Sequence, residues 1–186
     1  MATPPVHKID EDGLVAAARA GDTRAFGTLV EAYGQPVFNL ALRMSGNAED
    51  ARDLVQIVFV KAYERLDRFD GRSRFFSWLY RIAINESLNF LSRRKHQVEL
   101  GEQLFSSERR PDEHAATGEE ERMVQEAILE LTPEYRQVIV LRHFLDLSHV
   151  EMGRVLQLPE KTVKSRLHTA RVRLGEALRR RGYEPR

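Results

Sequence analysis

Residues 147–178 constrain the fold of this chain more than any other stretch. Ser148, with Glu151 three residues later, is the capping box of a helix start. Gln157-Leu158-Pro159 then marks a short turn, after which proline permits a second helix to begin. Beyond it, apolar residues recur at steps of three and four, the period of a buried helix face: Val163, Leu167, Ala170 and Leu174. The pattern predicts a helix-turn-helix, in which Gln157 fills a turn position that favours glycine and therefore either takes a positive φ or reshapes the turn.

The opposite face of the second predicted helix is basic and rich in hydroxyl groups. It carries Lys161, Thr162, Lys164, Ser165, Arg166, His168, Thr169 and Arg171. A basic helix face by itself is most often only a solvated surface. The short capped helix and tight turn before it instead favour docking in the major groove of DNA. Many regulators share this module, so it does not identify the function alone.

Composition excludes several other classes of protein. The 186 residues include no cysteine, which excludes disulfides and thiolate metal sites and is typical of a reducing cytoplasm. The first residues lack the apolar core of a secretory signal, and no apolar run approaches the roughly 20 residues that cross a bilayer. We therefore expect a cytoplasmic protein without membrane insertion. Its net charge of +1 conceals two basic blocks, residues 72–95 and 161–181, which suggest two polyanion-binding surfaces.

Every periodic segment of the chain has a helical period, and none alternates like a strand. We predict an all-α fold of two small domains, residues 10–96 and 119–182, joined by a flexible linker at 97–118. Predicted helix caps are Asp22, Asn47, Ser73 and Thr132, with Gly46 ending the second helix. The third helix is expected to run to about residue 68, the fourth to about 95 and the sixth to about 145. Pro36 predicts a kink or a break in the second helix.

The third predicted helix, residues 48–68, has a second face opposite its apolar one. This face combines acidic, polar and apolar residues: Asp50, Asp53, Gln56, Ile57, Val60 and Glu64. Scattered surface hydrophobic residues are common and need no function. The alternative is a docking strip for a partner helix, apolar in the middle and acidic at the rim.

The fourth predicted helix carries more aromatic residues than one buried stripe needs. Phe75, Phe76, Trp78, Tyr80 and Phe90 surround it, with Arg74 and Arg81 among them. Helical aromatic residues usually belong to the core, but aromatic rings interleaved with arginine also suit single-stranded nucleic acid. Asn85 and Asn89 can hydrogen-bond base edges, and the loop at residues 69–73 can line a pocket for an extruded base.

Three stretches, in this order and spacing, resemble bacterial sigma factors of the sigma-70 family. They are DARDLVQIVFVKAYERLDRF, SRFFSWLYRIAINESLNFLSRR and LSHVEMGRVLQLPEKTVKSRLHTARVRL. The short length makes the chain similar to the two-domain extracytoplasmic-function (ECF) group. The likeness covers nearly the whole chain except its first ten residues and the linker.

The resemblance implies that residues 10–96 are sigma region 2, which binds core RNA polymerase and reads the −10 element. Contacts with the clamp helices of the polymerase β′ subunit would come from Asp50, Asp53, Gln56, Ile57 and Val60. Ile57 stands where the family usually has an acidic residue. Contacts with the melted −10 strand would come from Phe69, Arg72, Trp78, Arg81 and Asn85.

The resemblance also implies that residues 119–182 are sigma region 4, which reads the −35 element as duplex and meets the polymerase β flap. The base-facing side chains would be Lys164, Ser165, His168 and Thr169. The phosphate contacts would come from Arg142, Arg166 and Arg171. The family further implies a linker near the polymerase active site, and an anti-sigma factor as a possible regulatory partner.

An enzyme is the less favoured interpretation. The six histidines are scattered without an HExxH pair, and no GxxxxGK loop or ordered nucleophile is present. We therefore expect no catalytic residue, metal or cofactor. The stronger alternative is a free-standing helix-turn-helix regulator that binds duplex DNA as a dimer, with paired half-sites.

Overall fold

A computed structural model gives the fold of the protein and describes residues 9–99 and 118–183. These residues form eight helices and no strand, which confirms the predicted all-α fold. The helices are α1 (Glu11–Arg19), α2 (Thr23–Ser45), α3 (Ala48–Glu64), α4 (Phe75–Glu99), α5 (Glu119–Glu130), α6 (Pro133–His143), α7 (His149–Leu156) and α8 (Glu160–Arg180). A short 3-10 turn, Leu66–Arg68, lies between α3 and α4.

Most of the local signals for helix ends are confirmed. The Asp22 carboxylate accepts two backbone N–H groups at the start of α2, and the Asn47 side chain does the same for α3. Gly46 ends α2 in the left-handed region, with a φ of 78°. Ser148 and Glu151 form both hydrogen bonds of the capping box that opens α7. These orphan N–H groups find partners within a few residues, so the sequence predicts them well.

Several predicted boundaries are wrong. Of the kink or break predicted near Gly34 and Pro36, the break is absent, because Pro36 lies inside a continuous α2. Tyr33 and Val37 flank this proline and are fully buried, and their packing offsets the hydrogen bond that proline cannot make. The third helix ends at Glu64 because the chain tightens into the 3-10 turn.

The later boundaries also shift by a few residues. α4 begins at Phe75, two residues after Ser73, and continues to Glu99. The predicted linker at 97–118 therefore begins inside a helix, and residues 100–117 lie outside the described part of the chain. Thr132 makes no side-chain capping bond, and α6 ends at His143.

Helices α1–α4 enclose an aromatic core. α2 packs against α1, α3 and α4, and the Tyr33 ring lies 5.7 Å from the ring of Phe75. The largest fully buried side chains here are Leu29, Tyr33, Leu40, Met44, Leu54, Phe75 and Leu79. Each such side chain contributes about 1.5–3 kcal/mol by leaving water. Most of the aromatic residues of α4 therefore belong to the core.

Helices α5–α8 build a second, smaller unit around α6. α8 packs across α5, α6 and α7, and Val163, Leu167 and Ala170 are its buried stripe, as the periodicity predicts. On α6 the central residues 136–141 are buried on all sides. A helix of this kind must be covered from several directions.

The two units lie against each other rather than apart. α2 contacts α5 and α6, and α4 contacts α7. One continuous hydrophobic cluster includes Tyr80 and Ile84 of α4 together with Met152 and Val155 of α7. The flexible linker predicted between the units therefore does not keep them separate in this structure.

Candidate nucleic-acid and partner interfaces

The exposed face of α8 presents most of the residues that the sequence assigns to duplex DNA. Lys164, Ser165 and His168 are exposed, whereas Thr169 and Arg166 are half-buried. The Thr169 hydroxyl donates to the Ser165 carbonyl at 3.2 Å, which satisfies its hydrogen within the helix. Lys164 forms an ion pair with Glu160 one turn earlier, with Nζ and Oε1 2.6 Å apart.

The turn between α7 and α8 sets the angle at which this face is presented. Gln157 ends α7 in the left-handed region with a φ of 54°, which is the first of the two alternatives that its glycine-favouring position leaves open. Gly153 faces the turn so closely that an added Cβ would lie 2.8 Å from the Leu158 carbonyl oxygen. The turn can therefore form only if residue 153 has no side chain. The sequence pattern did not identify this requirement.

Two of the predicted phosphate contacts, Arg142 and Arg171, already form hydrogen bonds within the protein. Arg142 donates to the Leu147 carbonyl at 3.0 Å and supports the turn between α6 and α7. Arg171 donates from Nε to Nε2 of His143 at 3.3 Å. Partial burial lowers the pKa of His143, and the positive charges of Arg171 and Arg142 lower it further. Neutral His143 can therefore accept this hydrogen bond and orient Arg171.

An open groove between α3 and α4 gathers a second set of predicted nucleic-acid residues. Its volume is about 550 Å³, and Trp78, Arg81 and Asn85 line it. The groove also brings in Lys61, Arg65 and Asn89. Lys61 and Arg65 were missed by sequence reasoning, although they lie four residues apart, Lys61 in the last turn of α3 and Arg65 directly after it. Lys61 is paired with the largely buried Glu86, with Nζ and Oε2 2.6 Å apart.

Two aromatic residues predicted to touch bases are packed into the core instead of standing free. Phe69 is 5% exposed and Trp78 is 8% exposed. Their rings lie 5.4 Å apart, and each also contacts the ring of Phe75. Trp78 still lines the groove, whereas Phe69 does not line it and packs against the Trp78 ring. Arg72 is exposed in the preceding loop, with Nε 3.6 Å from Oδ2 of Asp70.

The outer face of α3 is an exposed strip with an apolar centre. Ile57 is 41% exposed, Val60 56% and Tyr63 49%. Asp53 and Gln56 are exposed beside them, whereas Asp50 is mostly covered and pairs with Arg94 at 3.3 Å. Tyr63 was not predicted, although it follows Val60 by three residues on the same face. Exposed apolar residues grouped in this way are typical of a protein-binding surface.

Two further kinds of site were sought among the described residues, a cluster of metal ligands and a membrane-spanning helix. Within residues 9–99 and 118–183, no cluster of three His, Asp or Glu side chains is arranged to hold a metal ion. No described helix is long and apolar enough to cross a membrane.

Comparison with known proteins assigns the family. The sequence profile of sigma-70 region 2 matches residues 29–97, and that of sigma-70 region 4 matches residues 121–174. The ECF RNA polymerase sigma factor SigW of Bacillus subtilis is 33% identical, covering 89% of this chain and 95% of SigW. The chain belongs to the ECF sigma factors. The family and its all-helical fold are those that the sequence motifs predict.

Another curated relative supports this assignment, and two solved structures share the fold. The ECF sigma-E factor of Escherichia coli K12 is 35% identical, over 88% of this sigma factor and 92% of its relative. The structure of CnrH in complex with the cytosolic domain of CnrY superposes with a TM-score of 0.70 and 31% identity, over 90% of this chain and 96% of CnrH. RpoE of Bartonella quintana, solved with the anti-sigma factor NepR, shares the fold with a TM-score of 0.68 over 84% of this chain and 98% of RpoE, at 23% identity.

Family membership fixes the broad biochemistry of this sigma factor. ECF sigma factors are transcription initiation factors that act with RNA polymerase on promoter DNA. α3 and most of α2 and α4 lie within the matched region 2, and α7 and most of α8 lie within the matched region 4. The groove between α3 and α4 and the exposed face of α8 therefore lie in different regions of the factor.

Proposed function

We propose that this sigma factor reads the −35 element as duplex through α8 and the −10 element as a melted strand through the groove between α3 and α4. The proposal is supported by two separate cationic surfaces that differ in shape. The exposed face of α8 is convex, and the groove between α3 and α4 is concave. A convex helix fits the major groove of duplex DNA. A groove lined by cations, amides and an aromatic ring fits a single strand with extruded bases. We assign residues 10–96 to region 2 and residues 119–182 to region 4.

The exposed face of α8 is suited to recognising a DNA sequence through a small number of base contacts. Lys164, Ser165 and His168 are exposed toward solvent and can reach base edges, whereas Thr169 lies at the border of the face. Arg166 and Arg171 flank them and suit phosphates, which fix register without carrying sequence information. Arg142 contributes indirectly, because its guanidinium holds the turn before α7.

The groove has the chemistry of a strand binder. Arg81 and Arg65 supply positive charge, and the amides of Asn85 and Asn89 can hydrogen-bond the Watson–Crick edges of unpaired bases. The Trp78 ring borders the groove while Phe69 and Phe75 brace it. Arg72, in the loop before α4, would contact the phosphates of the strand.

The α3 strip supports a role in holding core polymerase. Asp53, Gln56, Ile57 and Val60 form one exposed face with an apolar centre, which suits a partner helix such as those of the β′ clamp. Asp50 would stand at its edge, fixed by Arg94. Region 4 would contact the β flap. In this function the chain has no catalytic role of its own and acts in the cytoplasm, beside the polymerase.

Regulation by an anti-sigma factor belongs to the same proposal. CnrH, with 31% identity, was solved in complex with the cytosolic domain of CnrY. A protein of that kind would inhibit this sigma factor by covering the α3 strip. Co-purification at native expression would test this point, since recovery of polymerase subunits alone would exclude a dedicated inhibitor.

In vitro transcription with sigma-free core polymerase tests the proposed function. The template is a promoter library randomised at the −35 and −10 elements, and the transcribed fraction is sequenced. We expect selected promoters with both elements, and permanganate reactivity of −10 thymines only in the presence of core polymerase. The free-standing regulator instead predicts tight duplex binding by the isolated protein, as a dimer on paired half-sites. Absence of any selected promoter would exclude the sigma mechanism.

A further inference from the structure

Helix α1 lies outside the segment matched by the region 2 profile, yet it contacts the loop that precedes α4. The Arg19 guanidinium donates from Nη1 to the Phe69 carbonyl at 3.4 Å. It also donates from Nη2 to the Asp67 carbonyl at 3.3 Å. One side chain of α1 thus holds the chain where it leaves the 3-10 turn and enters the loop.

The other end of the same loop is held by Glu11. This carboxylate is only 7% exposed and lies 3.4 Å from Nη2 of Arg74, the residue before α4. It also accepts the hydroxyl hydrogen of Tyr33, which is fully buried in the core. Burial raises the pKa of Tyr33, and the hydrogen bond to Glu11 raises it further, so the phenol remains a donor. Arg74 in turn lies over the Phe76 ring at 5.0 Å.

The loop between these two attachments has little regular structure of its own. Residues 69–74 are not helical, and Gly71 has a φ of 69°. Its local hydrogen bond joins the Asp70 carboxylate to the Arg72 N–H at 3.0 Å, within a tight turn. The position of such a loop relative to α4 depends on what holds its ends. Here both ends are held by α1.

We propose that α1 sets the base preference at the −10 element, with Arg19 and Glu11 as positioning residues for the loop at 69–74. This inference rests on the proposed −10 function of the loop and the adjoining groove. A pocket for an extruded base discriminates only if its walls are held to within a fraction of an ångström. Releasing the loop would leave the groove cations Lys61, Arg65 and Arg81 in place, so DNA would still bind while discrimination among bases fell.

The hydrogen bonds of Arg19 can be tested by mutation, because Arg19 is exposed and its replacement should not unfold the protein. Arg19 is an exposed residue, and exposed hydrogen bonds contribute little to stability, so Arg19→Ala should fold normally. Arg19→Lys can reach one of the two carbonyls and serves as the conservative variant. Glu11→Gln keeps an acceptor for Tyr33 but removes the charge that faces Arg74. Arg24→Ala is the matched control, because Arg24 is an exposed arginine of α2.

The experiment uses the full chain with core polymerase and the randomised promoter library described above. For each variant and at every −10 and −35 position, the transcript yield with the most favoured base is divided by the yield with the least favoured base. For Arg19→Ala and Glu11→Gln we expect that ratio to fall roughly three- to tenfold at one or two −10 positions, as the loss of one or two hydrogen bonds implies. The −35 ratios should not change. Arg19→Lys should recover part of the preference, and Arg24→Ala should match the wild type.

Two results would overturn the inference, and they differ from each other. If the wild type selects promoters and Arg19→Ala lowers the yield from every template equally, α1 is only structural. If the wild type itself selects no promoter, the proposed function fails and the inference fails with it. Melting temperatures measured on the same samples separate a positioning effect from unfolding.

Discussion

Arg43 on α2 donates from Nη1 to Oε1 of Gln125 on α5 at 2.7 Å, across the boundary between regions 2 and 4. The same guanidinium lies over the Phe144 ring of region 4 at 4.5 Å. The contact between the regions thus combines an apolar cluster with arginine hydrogen bonds to neutral groups. Interfaces with this much polar character resemble those that open and close, rather than the core of a single domain.

Arg136 is the centre of this contact and gives the first prediction. It is 7% exposed and donates to the Met44 carbonyl at the end of α2 and to the Leu129 carbonyl, 2.7 Å away, near the end of α5. Arg136→Ala leaves buried carbonyls without partners, so we expect the free energy of unfolding to fall by about 1–3 kcal/mol. Urea denaturation measures this change.

The same variant should also separate the two regions. Because the chain has no cysteine, one cysteine introduced in each region allows specific labelling for energy transfer. We expect lower transfer efficiency in Arg136→Ala than in the wild type or in Arg52→Ala, an exposed arginine on α3. Unchanged transfer would mean that Arg136 does not hold the regions together.

Local sequence predicted the parts of this structure that depend on neighbouring residues. Helix caps at Asp22, Asn47 and Ser148 and the left-handed Gln157 are such features, because their partners lie within four residues. The position of the exposed polar face on α8 follows from helical period alone. The groove was predicted only in part, because Lys61 and Arg65 come from the end of α3 and not from α4.

The features that sequence did not predict depend on contacts between distant residues. Arg136 reads as a surface residue but is buried among carbonyls that come from other helices. The aromatic pattern of α4 could not show that Phe69 turns its ring onto Trp78. Arg19 likewise gave no signal, since its partners are backbone atoms about 50 positions along the chain.

The second prediction concerns the pH dependence of stability at His143. Its pKa in the folded protein is lowered by partial burial and by the nearby Arg171 and Arg142. Below the ordinary histidine value of about 6.5, the unfolded chain therefore binds the proton more readily than the folded one, and stability falls as pH falls. His143→Ala should show a smaller loss of unfolding free energy between pH 7.5 and pH 5.5. His168→Ala, at an exposed site on α8, is the control, and an equal loss in both variants would contradict this account.

The third prediction tests the α3 strip. Val60 is 56% exposed, so Val60→Asp should leave the fold intact while placing an unpaired charge in the middle of the apolar surface. We expect binding to core polymerase to weaken by about tenfold or more, as for a central residue of an interface. Val172→Asp is the matched control, because Val172 is 47% exposed on α8. Binding is measured by titrating labelled sigma factor with core enzyme, and equal affinities for the two variants would exclude the strip as the docking surface.

The last prediction concerns the ion pair between Glu160 and Lys164 at the start of α8. The hydrogen bond from Lys164 lowers the pKa of Glu160 further below neutral pH, and the charged carboxylate competes with DNA for the lysine. Glu160→Gln frees Lys164 and removes a negative charge near the phosphates, so we expect tighter binding of the holoenzyme to promoter DNA and a steeper salt dependence. Adding Lys164→Ala to Glu160→Gln should cancel most of that gain. If Glu160→Gln alone weakens binding while the helix content is unchanged, Glu160 acts by orienting Lys164 rather than by withholding it.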